Sequence, residues 1–203
     1  MEEHEEILIA MTAIVFAVYN LFWGLYPGLF HPEVLSRLVV LSFTIGIAFI
    51  AHEMGHKWAA EQFGTASRFV MWSQGIIFMM LTSFFGFLFA APGAVYIFAR
   101  NMPKEQEGII SVAGPSVNIL LYSIFALILI GSGIFGYVLT DILKTICALG
   151  LQINAFLALF NLLPFFILDG AKVFRWNKSI WAVAFFGAIL MLFLSGFFMG
   201  FAQ

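Results

Sequence analysis

The chain holds a single cysteine, Cys147, among 203 residues. That excludes an internal disulfide and a thiolate metal cluster. Charge is scarce as well: 10% of the residues are Asp, Glu, Lys or Arg, against about 25% in a typical soluble domain. The 9 Lys and Arg form no basic cluster, so no nucleic-acid surface is expected. Histidine occurs only 4 times. No internal repeat or low-complexity linker divides the chain. A positive leader is missing too: the start, Met1-Glu2-Glu3-His4-Glu5-Glu6, is acidic, whereas a secretory signal begins with a basic region. The first apolar segment therefore reads as a retained span.

What remains is apolar. Hydrophobic residues make up 63% of the chain and aromatics 18%. A spanning helix needs about 20 such residues, and five segments qualify: 7–26, 38–63, 111–131, 142–168 and 180–201. A sixth apolar run, Phe69 to Phe98, is interrupted by Gly75, Gly86 and Ala91-Pro92-Gly93. Charge sidedness decides how to read it. If the run returns to the side it left, Lys57, Arg68, Arg100, Lys104, Lys172, Arg175 and Lys178 lie towards one face, with Arg37 and Lys144 towards the other. A full crossing makes the division less lopsided, and the rule favours the more lopsided one. The expected fold is an all-α polytopic membrane protein. It has about five transmembrane helices plus a re-entrant hairpin element, which is permitted where protein buries it. One integral membrane domain covers 1–203. The N-terminus and the more positive face are expected to be cytoplasmic.

Within the second span lies His52-Glu53-Met54-Gly55-His56, an HExxH sequence. Residues four apart share a helix face, so His52 and His56 can bind one zinc ion, with Glu53 placed as the base for an attacking water. Ionisable residues at membrane depth are costly and point to function. A catalytic zinc takes three protein ligands. The terminal acids, the Pro-rich turn with His31 and Glu33, and the polar loop with Glu105 and Glu107 are poor sources. Asp141 begins a helix, where an acid suits the dipole. Asp169, at the end of an apolar segment and followed by Gly170, remains as the third ligand. Its lead-in is Asn161-Leu162-Leu163-Pro164-Phe165-Phe166-Ile167-Leu168. Pro164 cannot donate to the carbonyl of Phe160, which loosens the helix. Asn161 serves either a ligand, the substrate backbone or a freed carbonyl, or else helix packing. Gly114-Pro115-Ser116-Val117-Asn118 places Gly114 and Asn118 on one face, a small residue beside an amide.

Together these pieces resemble the site-2 protease family of intramembrane zinc metalloproteases. HEMGH matches the family's HExxH, NLLPFFILDG its NxxPxxxxDG, and GPSVN the small-residue-and-Asn signature of the central helix. The resemblance covers about 38–175, the family's three-helix catalytic core. It implies zinc held by His52, His56 and Asp169, with Glu53 as catalytic acid/base. Asn118 and Asn161 become candidates for holding substrate or stabilising an oxyanion. Ala91 to Ile97 looks like the family's membrane-embedded strand, with Gly93, Ala94 and Val95 as candidate substrate-strand positions. The implied activity is hydrolysis of peptide bonds in or near spans of membrane-anchored protein substrates. No PDZ-like insertion or nucleotide-sensing module is visible.

Three other classes compete. A non-proteolytic zinc-binding membrane scaffold of the same fold has no need of Glu53. A CAAX-processing type of membrane protease resembles a larger chain with a glutamate third ligand, and no glutamate follows Glu107 here. A metal transporter would want several acids along a path, and there is one cluster.

Overall fold

The computed structural model describes residues 1–24, 30–88, 92–165 and 167–199. Eight α-helices and two strands follow in the order α1 (Glu3–Trp23), α2 (Val34–Leu41), α3 (Ile47–Gln62), β1 (Ser67–Met71), α4 (Ser73–Phe84), β2 (Gly93–Ile97), α5 (Lys104–Phe135), α6 (Asp141–Asn161), α7 (Asp169–Trp176) and α8 (Lys178–Met199). A π-helical turn, Ser42–Gly46, joins α2 to α3, so the two run as one span, Val34–Gln62. Among the described residues five helices are long and apolar enough to cross a membrane. Such helices satisfy their own backbone in a medium without water.

The run after α3 does not cross. β1 and β2 pair antiparallel with Ser67 opposite Ile97 and Met71 opposite Gly93. The chain therefore returns to the level from which it left, and the 12-residue α4 fills the excursion. The expected hairpin element is thus present, and the expected strand is β2. Ala91, the first residue of that expected strand, lies outside the described residues. β1 had no separate signal, because its residues merge into the apolar run that follows.

One boundary differs from the sequence reading. The fourth apolar segment does not continue as a helix to 168. α6 ends at Asn161, and Asp169 opens α7. Pro164, which lacks an N–H, follows three residues after the last helical position and prevents continuation. Asp169 therefore stands at a helix N-terminus, where the dipole favours a carboxylate, not at a C-terminus.

Packing brings the chain ends of several elements to one end of the bundle. Ala59 and Ala60 of α3, Ile110 of α5 and Ile97 of β2 form one apolar cluster. Ion pairs join Lys57 to Glu3, Arg68 to Glu6 and Arg175 to Glu107 around it. On the other side of α3, Ile14, Val15, Val18 and Tyr19 of α1 pack with Phe49, Phe69 and Met79.

Candidate metal centre

His52, Glu53 and His56 lie on the inner part of α3, with 5%, 8% and 8% of their surface exposed. Close approach of α5 makes this possible. A side chain at Gly114 would collide with the imidazoles of both His52 and His56, and one at Gly55 would press on the Ala113 carbonyl at 3.1 Å. Glycine is required at Gly114 because backbone and ring share the space there.

The histidines are held from behind. His52 Nδ1 lies 2.6 Å from Asn118 Oδ1. The Asn118 amide is itself fixed, because its Nδ2 donates to the Ala48 carbonyl at 3.2 Å and to Asn154 Oδ1 at 3.0 Å. Asn154 Nδ2 in turn donates to the Gly150 carbonyl at 2.8 Å. With both amide hydrogens of Asn118 engaged, its Oδ1 must accept, so His52 Nδ1 carries the proton. His56 Nδ1 lies 2.8 Å from the Ile110 carbonyl and must donate there. Both Nε2 atoms are then bare lone pairs.

Those lone pairs converge. The Nε2 atoms are 3.1 Å apart. Asp169 Oδ2 is 3.4 Å from His52 Nε2 and 3.1 Å from His56 Nε2. Three acceptors facing one another repel unless a cation sits among them. Ligand atoms bound to a tetrahedral zinc at about 2.0–2.2 Å lie roughly 3.3–3.6 Å apart, close to the observed triangle. The donor set thus fits zinc, and His52, His56 and Asp169 are positioned to bind a metal ion. Asp169 turns Oδ2 towards the two imidazoles. Its other oxygen lies 3.9 Å from Lys172 Nζ.

The loop ahead of Asp169 is tightly drawn. A side chain at Gly170 would run into the Leu162 carbonyl. That carbonyl accepts from Trp181 Nε1 at 2.7 Å, so α8 braces the turn that delivers the third ligand.

The chain is 37% identical over 177 residues to a protein of Methanocaldococcus jannaschii named "Putative zinc metalloprotease MJ0611", with 87% of each chain covered. The chain belongs to this zinc metalloprotease family. A second member, "Putative zinc metalloprotease YwhC" of Bacillus subtilis, is 28% identical over 162 residues, covering 71% of each chain. No protein-family model matches the chain. No solved structure matches it either. In this family member, the ligand cluster sits on three separate elements: α3 for the histidines, α7 for Asp169, and α5 for the groups behind them.

The remaining residues singled out in the sequence are distributed as follows. Glu53 lies outside the ligand triangle, and its Oε2 accepts from Val95 N–H at 2.9 Å. Asn118 is fully buried behind His52. Asn161 is half-buried and donates to the Leu157 carbonyl at 3.0 Å. Gly93, Ala94 and Val95 lie on β2. Two groups escaped the sequence reading. Asn154 carried a signal, an amide in an apolar helix, but nothing linked it to Asn118. Glu3 and Glu6 passed as terminal acids.

Proposed function

We propose that the chain is an intramembrane zinc metalloprotease of the site-2 protease type, hydrolysing peptide bonds in or near the spans of membrane-anchored proteins. The observation that carries this reading is the set of three lone pairs, on His52, His56 and Asp169, converging within a bundle of apolar helices, with Glu53 next in sequence to His52.

A bound zinc supplies Lewis acidity, polarising the scissile carbonyl and acidifying water. Glu53 is the general base: it takes a proton from the attacking water and hands it to the leaving amine. Val95 N–H orients its carboxylate from the outer side of β2. His52 is kept in the productive tautomer by Asn118, and His56 by the Ile110 carbonyl. Asn118 thus acts through His52, whereas Asn161 bonds back to its own helix.

A spanning substrate must be unwound before its amides can be reached. The outer edge of β2 can receive the unwound segment by strand addition. Gly93 and Val95 present their backbone to that edge, while Ala94 pairs with Val70 on the inner one. The face bearing Lys57, Arg68, Arg100, Lys104, Lys172, Arg175 and Lys178 is assigned to the cytoplasm by the positive-inside rule, and the site opens there.

The test compares the native chain, Glu53→Gln and chelator-treated protein on a panel of single-span substrates in lipid. Cleavage by the native chain alone, with Glu53→Gln still holding zinc and slowed by about 10²–10⁴-fold, is the expected result. Undiminished cleavage by Glu53→Gln would remove the residue from the mechanism. A full complement of zinc with no cleavage of any span would favour the non-proteolytic scaffold.

A further inference from the structure

The two strands have differently finished edges. Trp72 N–H donates to the Pro92 carbonyl at 3.0 Å, and Phe98 N–H to the Ala66 carbonyl at 2.9 Å. These bonds bracket the ladder and set its phase: even-numbered residues exchange bonds between β1 and β2, and odd-numbered residues turn their backbone outwards. On β1 the outward amides of Phe69 and Met71 do not face a strand. Phe69 N–H donates to Glu3 Oε1 at 2.8 Å, and Met71 N–H donates to Glu6 Oε2 at 2.8 Å. On β2 the outward amide of Val95 donates to Glu53, the proposed base, while among the described residues no acceptor meets the outward amides of Gly93 and Ile97.

Each α1 carboxylate is held by a cation as well. Lys57 Nζ lies 2.6 Å from both oxygens of Glu3, and Arg68 Nη2 lies 2.7 Å from Glu6 Oε1. Spacing explains why the pair fits. Residues three apart advance about 4.5 Å along a helix, residues two apart about 6.8 Å along a strand, and two glutamate side chains bridge the difference. Glu3 and Glu6 thus supply the two acceptors that a neighbouring strand would otherwise provide. Lys57 follows His56 directly, so the same carboxylates tie α1 to the helix that carries the metal ligands.

We infer that Glu3 and Glu6 are positioning residues that close the outer edge of β1 and so confine an extended substrate to the outer edge of β2, beside Glu53. Exposed strand edges are templates for any passing strand. A substrate seated on β1 would lie one strand away from the base and would not be cut. This inference rests on the proposed proteolytic reading.

The test is photo-cross-linking of the full chain in lipid, carrying Glu53→Gln so that substrate is held uncut. The probe is a single-span peptide with a diazirine residue at the cleaved position, and cross-linked residues are mapped by mass spectrometry. With Glu3 and Glu6 intact, cross-links fall on 93–97. In Glu3→Ala/Glu6→Ala, where α1 no longer supplies acceptors to the β1 edge, cross-links should also appear on 67–71. Glu3→Gln/Glu6→Gln keeps an acceptor oxygen at each place and should return them to β2. If the double alanine variant does not fold, the single variants serve, and Glu6→Ala alone should admit cross-links near Met71. Cross-links that stay on β2 in folded alanine variants overturn the inference and leave the protease reading intact. Cross-links on neither strand in the parent overturn strand addition itself, and the inference with it.

Discussion

Asn118 Oδ1 accepts the proton of His52 Nδ1 across 2.6 Å, and the far nitrogen of the same ring is one of the three metal-facing acceptors. A buried amide on α5 thereby decides which nitrogen of an α3 histidine is free. The amide can do so only because Ala48 and Asn154 occupy both of its hydrogens.

Asn118→Ala should therefore weaken zinc binding without removing a ligand. Loss of such a supporting partner typically lowers affinity by about 10–100-fold. Competition with a chromophoric chelator measures it. An affinity equal to that of the native chain would mean that packing alone orients His52.

Gly114→Ala should abolish zinc binding more completely, since the added methyl would enter the space of both imidazoles. Metal content per chain gives the readout, with circular dichroism as the check on folding. Stoichiometric zinc in a folded Gly114→Ala protein would contradict the close approach of α5 to α3.

Asp169→Ala should lose zinc while leaving the hydrogen bonds of His52 and His56 to Asn118 and Ile110 in place. Asp169→Asn keeps the shape and an oxygen but not the charge, and should bind more weakly than the native chain. Unchanged zinc affinity in Asp169→Ala would exclude Asp169 as a ligand.

Trp181→Phe should be milder. It removes the donor to the Leu162 carbonyl but keeps an aromatic ring beside Phe174 and Phe185. One lost hydrogen bond costs about 1 kcal/mol, and the loop carrying Asp169 is the part that loosens. Cleavage should fall more than thermal stability does. A variant with lower melting temperature and full activity would show that the brace serves stability alone.

Much of this protein is written locally. Long apolar segments fix the spans, because a bilayer allows few other backbone solutions. HExxH puts two candidate ligands on one face through the helical period, since His52 and His56 are four apart. Pro164 marks the helix break before Asp169, although the sequence reading carried the helix through it and so placed Asp169 at the wrong kind of helix end. The hairpin after α3 followed from charge sidedness, which reflects a global preference for one face.

Contacts between elements distant in sequence were decided only by tertiary structure. A separation of 36 positions hides the pairing of Asn118 and Asn154, because a hydrogen bond across two helices leaves no periodic trace in either. The acceptors for the β1 edge lie more than 60 residues away, on Glu3 and Glu6. Sequence determined which residue types could hold a metal in an apolar chain. Tertiary packing decided which nitrogen each histidine turns inward and which strand edge stays open, because both depend on what the neighbouring element offers as donor or acceptor.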